Sequence, residues 1–183
     1  LFLASDQPGA GLHRGADGAI AQNGTMRIPF LGQVPRVLRD SPGLATSLGY
    51  GHGAFSTRDE ALSQNPRDIA THARAVLFSI DWWGMSRPDT SNILDAIATR
   101  PTHALAFADR VLQGMANQVV FSAAILGPLR ALPAFAAAAG APLYPASSSR
   151  FIGISQGHIL GGMLAAVHPG RIPILPLHAL HVY

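Results

Sequence analysis

The chain has 183 residues, 48% of them hydrophobic and 13% charged, which is enough apolar material for the core of one globular domain and argues against disorder. All thirteen basic residues are Arg, scattered rather than clustered, and the net charge is only +3, so no nucleic-acid surface is expected. There is no Cys, which excludes disulfides, zinc–thiolate sites and a cysteine nucleophile.

Residues 1–25 are rich in Gly, Ala and Asp, with turn signals at Pro8-Gly9 and Asp17-Gly18, and read as loop with at most one short edge strand. Between residues 26 and 39 a loose alternation is bounded by Pro29 and Pro35, which confine any strand there to a sheet edge. Asp40-Ser41-Pro42-Gly43 is a turn, so residues 1–43 form an N-terminal loop and edge-strand region. Residues 44–50 are a strand that runs into Gly51-His52-Gly53-Ala54-Phe55, and Ser56 or Thr57 caps a short helix at 58–63.

The clearest buried strand is 73–80, ending in Asp81-Trp82-Trp83-Gly84-Met85-Ser86. Thr90 or Ser91 caps a helix at 92–99, and Pro101 breaks it. A longer helix then runs from Ala104 to about Leu126, with Leu105, Ala108, Val111, Leu112 and Met115 on one apolar face; the stretch 93–139 covers the sheet or meets a partner, sheet cover being the preferred reading. Residues 132–139 read as an alanine-rich helical piece. A loop with Pro142 and Pro145 leads into a strand at 151–154, followed by a helix at 159–167 and an irregular tail at 171–183. The longest apolar region, 119–140, contains Pro128, Arg130 and Pro133, so no transmembrane segment is expected.

Strands alternating with helices imply an α/β fold, a mostly parallel sheet flanked by helices. Chemistry in such sheets gathers at the carboxyl ends of the strands, where the loops at 51–55, 81–86 and 155 fall. Gly153-Ile154-Ser155-Gln156-Gly157 is a G-x-S-x-G turn between a strand and a helix, and its serine is the candidate nucleophile. A serine hydroxyl needs a histidine to take its proton and donors for the oxyanion. The N–H of Gln156 supplies one donor in this geometry, and His52-Gly53-Ala54 fits the second, with Gly53 making the turn that offers the Ala54 N–H. No pair of His at i, i+4 with a nearby acid occurs, which argues against a metal hydrolase.

These three motifs together resemble the α/β-hydrolase superfamily, in particular its bacterial esterase and lipase-like members. Tyr50-Gly51-His52-Gly53-Ala54-Phe55 resembles the oxyanion strand and loop, Ser79 to Ser86 the D-x-x-G-x-S strand end, and Gly153 to Gly157 the nucleophile elbow. The likeness covers roughly residues 44–170. It implies a serine hydrolase acting on small-molecule carboxylic esters through an acyl-enzyme at Ser155, without metal or cofactor. Trp82 and Trp83 would pack beside the cleft, at least one lining an acyl pocket. No leader is visible before Leu1, and secreted, periplasmic and cytoplasmic placements stay open.

Two departures qualify the resemblance. His158 stands where many relatives carry a small residue. The last acidic residue is Asp109, and none of the 28 residues after Ser155 is acidic, although the family order is serine, acid, histidine. The expectation is therefore a single, incomplete domain over 1–183 that stops before its acid and its catalytic histidine. His178 and His181 are the distal candidates for a base. Asp81 is a candidate substitute acid, with a structural role in capping the following turn preferred. His13, His72 and His103 read as surface or helix-end residues. The alternative function is a truncated or degenerate domain without turnover, serving as a binding or structural remnant. A nucleotide site at Gly51-His52-Gly53 is disfavoured because the chain contains no Lys. A shortened sheet would also expose an edge near residues 152–155 and favour self-association.

Overall fold

The computed structural model describes residues 1–40, 45–99, 101–137, 140–147 and 149–167. The turn expected at 40–43 and the tail, with His168, His178 and His181, therefore lie wholly or mainly outside the described residues.

Four strands, β1 (Phe30–Gln33), β2 (Thr46–Gly51), β3 (Ala75–Ile80) and β4 (Ser149–Gly153), form one sheet in the spatial order β1-β3-β2-β4. β2 pairs in parallel with both β3 and β4, and β1 lies antiparallel against the outer side of β3. The helices are α1 (Arg36–Asp40), α2 (Gln64–His72), α3 (Thr90–Ala98), α4 (Ala104–Leu126) and α5 (Gln156–Val167). The chain is thus an α/β fold with a mixed, mostly parallel sheet. β1 fits between Pro29 and Pro35 and takes an edge, where a missing N–H outside the strand disturbs no ladder.

All six residues of β3 are buried, because helices cover both faces of the sheet. On one face Val76 and Phe78 pack with Leu38, Ile125, Phe135 and Tyr144. The Phe78 ring meets Phe135 and Tyr144 edge-on, at centroid separations of 4.9 and 5.7 Å. On the other face Ala75 and Leu77 join Leu48, Tyr50 and Ile152 beneath Ala61 and Ala70. Trp82, Phe151, Leu160 and Leu164 form a third cluster where α5 and Val111 and Met115 of α4 meet the end of the sheet.

Several expectations are corrected. α2 was not anticipated: its buried residues are Pro66 and Ala70, too small to mark an apolar stripe in an otherwise polar segment. The helix expected at 58–63 is a 3₁₀ turn, Arg58–Leu62, capped by Thr57. The alanine-rich piece at 132–139 is not an α-helix; 3₁₀ turns at Pro128–Ala131 and Pro133–Phe135 replace it, each opened by its proline. α4 has the expected limits and covers the sheet, but on a different face. Leu105 and Leu112 are exposed, while Arg110, Gln113, Asn117 and Gln118 are buried. Arg110 and Gln113 are tolerated there because the N-terminal segment lies against α4 and offers backbone groups, and Gln113 in turn donates to Asn117 at 2.8 Å. Gln113 Oε1 accepts the Phe2 N–H at 2.6 Å, and Arg110 donates to the Asp6 carbonyl at 2.9 Å. No described helix is long and apolar enough to cross a membrane.

Candidate functional site

The register of the parallel strands assembles the site. Gly51 of β2 lies opposite Gly153 of β4, and Tyr50 opposite Ser79 of β3. The residues that follow each strand therefore emerge side by side at one end of the sheet: His52 to Ala54, Asp81 to Trp83, and Ile154 to Gln156. A further bond from the Ile154 N–H to the Gly51 carbonyl, at 3.1 Å, carries the ladder to the edge of the turn.

Ser155 occupies the left-handed region with φ 52°. A side chain there crowds the backbone at a cost of about 1–2 kcal/mol, which the packing around it must offset. Glycines on either side allow that packing. A Cβ on Gly153 would overlap the Gly157 backbone, and a Cβ on Gly157 would overlap the Gly51 carbonyl. Only bare backbone lets the start of α5 close onto β2 and β4. The turn leaves Ile154 and Ser155 exposed between buried Gly153 and Gln156, and the Ser155 hydroxyl makes no hydrogen bond among the described residues. Gln156 opens α5, so its N–H has no acceptor in the helical ladder.

The facing loop is held from below. Glu60 accepts the Gly53 N–H at 3.2 and 3.3 Å through its two oxygens, and the Tyr50 hydroxyl at 2.7 Å. Burial first, then the hydrogen bond and charge of Glu60, push the Tyr50 phenol well above its ordinary value of 10.0, so it remains a donor. Phe55 also takes a positive φ, 57°, and donates its N–H to the Met85 carbonyl at 2.8 Å. Between these anchored residues, the Ala54 N–H finds no acceptor among the described residues.

His52 is fully buried, and it links two of the three loops. Its Nε2 accepts the Trp82 N–H at 2.8 Å, which places the proton on Nδ1, and Nδ1 donates to the Gly53 carbonyl at 2.8 Å. Both ring nitrogens are occupied, so His52 is a strut and offers no lone pair to Ser155.

The third loop corrects two expectations. Asp81 does not cap the turn that follows it; it accepts the Arg58 N–H at 2.6 Å and pairs with the Arg58 guanidinium at 2.7 Å. Asp89 does the capping instead, accepting from Gly84 N–H at 2.9 Å, Ser86 N–H at 3.1 Å and the Ser86 hydroxyl at 2.6 Å. Its other oxygen takes the Arg110 guanidinium, which also lies over the Trp83 ring at 4.2 Å. Trp82 is only 1% exposed and packs on Phe151, so its ring lines no open acyl pocket. His72 ends α2, bonded through Nδ1 to the Asp68 carbonyl at 2.8 Å, and His158 lies half-buried in the first turn of α5.

The structure thus gathers Ser155, Gln156, Gly153, Gly157, His52, Gly53 and Ala54 at one place. Among the described residues no base or acid is brought to the Ser155 hydroxyl, and none form a cluster that could hold a metal ion. Clefts of about 520 Å³ (Pro35, Gln64, Arg67) and 310 Å³ (Leu38, Pro133, Leu143) open elsewhere, and Ser155 lines neither. Glu60, Asp89 and Arg110 were missed by sequence reasoning. Glu60 carried one signal, being the sole Glu of the chain. Asp89 and Arg110 carried none. No protein-family model, curated protein or solved structure matches the chain.

Proposed function

We propose that the chain is a serine hydrolase domain of the α/β-hydrolase type, acting on small carboxylic esters. The observation that carries this reading is the strained, exposed Ser155 set one residue before a helix and abreast of the Gly53-Ala54 loop. Ser155 Oγ attacks the acyl carbonyl, its proton passes to a base, and the oxyanion is held by the N–H groups of Ala54 and Gln156. Expulsion of the alcohol leaves an acyl-enzyme, which water cleaves to release the acid. A preorganised donor of this kind contributes about 10²–10³-fold to rate. The sequence offers His178 and His181 as bases, both outside the described residues.

A second reading, a hydrolase-like domain without turnover that serves as a binding or structural remnant, is favoured by the two polar groups nearest in register. His52 and Asp81 are both fully engaged elsewhere. The readings separate on a fluorophosphonate probe and on p-nitrophenyl butyrate. The hydrolase reading expects Ser155 to be labelled and the ester to be cleaved well above a Ser155→Ala control. Labelling that survives Ser155→Ala removes Ser155 as nucleophile. Turnover no higher than the control favours the remnant. The same reading includes self-association through the outer edge of β4, with which no described strand pairs.

A further inference from the structure

We infer that Glu60 is the positioning residue of the oxyanion loop, acting through Gly53 on the Ala54 N–H. The inference rests on the reading of Ser155 as nucleophile and adds the part that orients its electrophilic partner.

A loop that must present a backbone N–H to a developing anion has to keep that N–H unpaired while fixing the peptide on either side. Turning the preceding N–H away is the direct means. The Gly53 N–H is bound by both oxygens of one carboxylate, at 3.2 and 3.3 Å. Its carbonyl, which belongs to the same peptide unit as the Ala54 N–H, accepts from His52 Nδ1 at 2.8 Å. The plane that carries the Ala54 N–H is therefore held at its oxygen by the His52 ring, while Glu60 holds the preceding His52–Gly53 plane through the Gly53 N–H, so the two grips meet at the Gly53 Cα. Fixing the plane fixes the direction of the Ala54 N–H.

Glu60 is itself held. Tyr50, 1% exposed and rooted in β2, donates its hydroxyl to it at 2.7 Å. Its backbone lies in the 3₁₀ turn Arg58–Leu62, whose first N–H and guanidinium are tied to Asp81 at the end of β3. The carboxylate thus couples the loop to two strands of the sheet, and Asp81, the residue suspected of acid chemistry, instead anchors the turn that carries Glu60. Gly53 has no side chain to lock its own torsion, so without this grip the loop would sample orientations in which the Ala54 N–H points away.

The test compares wild type with Glu60→Ala, Glu60→Gln and Tyr50→Phe. The readouts are the rate constant of fluorophosphonate labelling at Ser155, kcat and KM for p-nitrophenyl butyrate, and hydrogen exchange of the Gly53 amide. Glu60→Ala is expected to slow labelling by about tenfold or more and to lower kcat with little change in KM, since the oxyanion donor acts in the transition state. Glu60→Gln, whose amide oxygen still accepts the Gly53 N–H, restores most of the rate even if Glu60→Ala folds poorly. Tyr50→Phe falls between. Gly53 exchange accelerates in Glu60→Ala. Wild-type labelling and kcat in a folded Glu60→Ala, or equal losses in Glu60→Gln and Glu60→Ala, overturn the inference and leave the nucleophile reading intact. If wild type is not labelled at Ser155, the hydrolase reading fails, and unchanged Gly53 exchange in Glu60→Ala then rejects Glu60 as the loop's anchor as well.

Discussion

At Ser155 the chain holds a left-handed backbone angle, φ 52°, on the turn between β4 and α5. Gly and Ser are common, and G-x-S-x-G alone would fit many loops. A serine at φ 52° keeps a conformation that glycine would adopt without strain. Ser155→Gly is therefore expected to stabilise the fold by about 1 kcal/mol relative to Ser155→Ala, which retains the Cβ. Urea unfolding of the two variants checks this, and a glycine variant no more stable than the alanine one would mean that the turn carries no strain. The serine and its glycines were legible because G-x-S-x-G couples one residue type to one local geometry. The role of His52 was not legible. Its partner is a backbone N–H thirty residues away, at Trp82, and no spacing in the sequence signals that bond.

At the scale of elements, local rules worked where local energetics dominate. α4 runs from Ala104 to Leu126 as expected, between a proline-led turn and Gly127. Its buried face was misread because hydrophobic spacing assumes that only apolar groups go inside, whereas backbone of the N-terminal segment pairs with Arg110 and Gln113. The start of α3 was misread in the same way. Thr90 and Ser91 are good caps in isolation, but Asp89 already holds the turn Gly84–Ser86 and forms a capping box with Ser86. The Asp89–Arg110 pair, 2% and 6% exposed at its side chains, therefore ties the 81–86 loop, α3 and α4 together. Asp89→Ala, which strands the Arg110 charge in the interior, should cost about 3–5 kcal/mol in urea unfolding, and Asp89→Ala combined with Arg110→Met should cost less than the sum of the two single changes. Additive losses would show that the two side chains act independently.

The described residues form a four-stranded sheet covered on both faces and open along β4. Unpaired backbone on such an edge favours strand addition by another copy of the chain. The expected outcome is a weight-average mass that rises with concentration in sedimentation equilibrium. A monomer at all concentrations, unfolding cooperatively, would show that the edge is covered.

By itself the sequence determined the α/β class, the edge position of β1, the buried run of β3 and the placement of Ser155 on a turn before a helix. Each follows from local constraints: proline lacks an N–H, a run of six that is apolar except for Ser79 fits a strand covered on two sides, and small residues permit a tight strand-to-helix turn. The tertiary structure alone decided that Gly51 faces Gly153, that Glu60 and His52 hold the two peptides on either side of the Gly53 Cα, and that Asp81 is committed to Arg58. Those are pairings between groups distant along the chain, set by strand register and by the need to satisfy buried donors and acceptors.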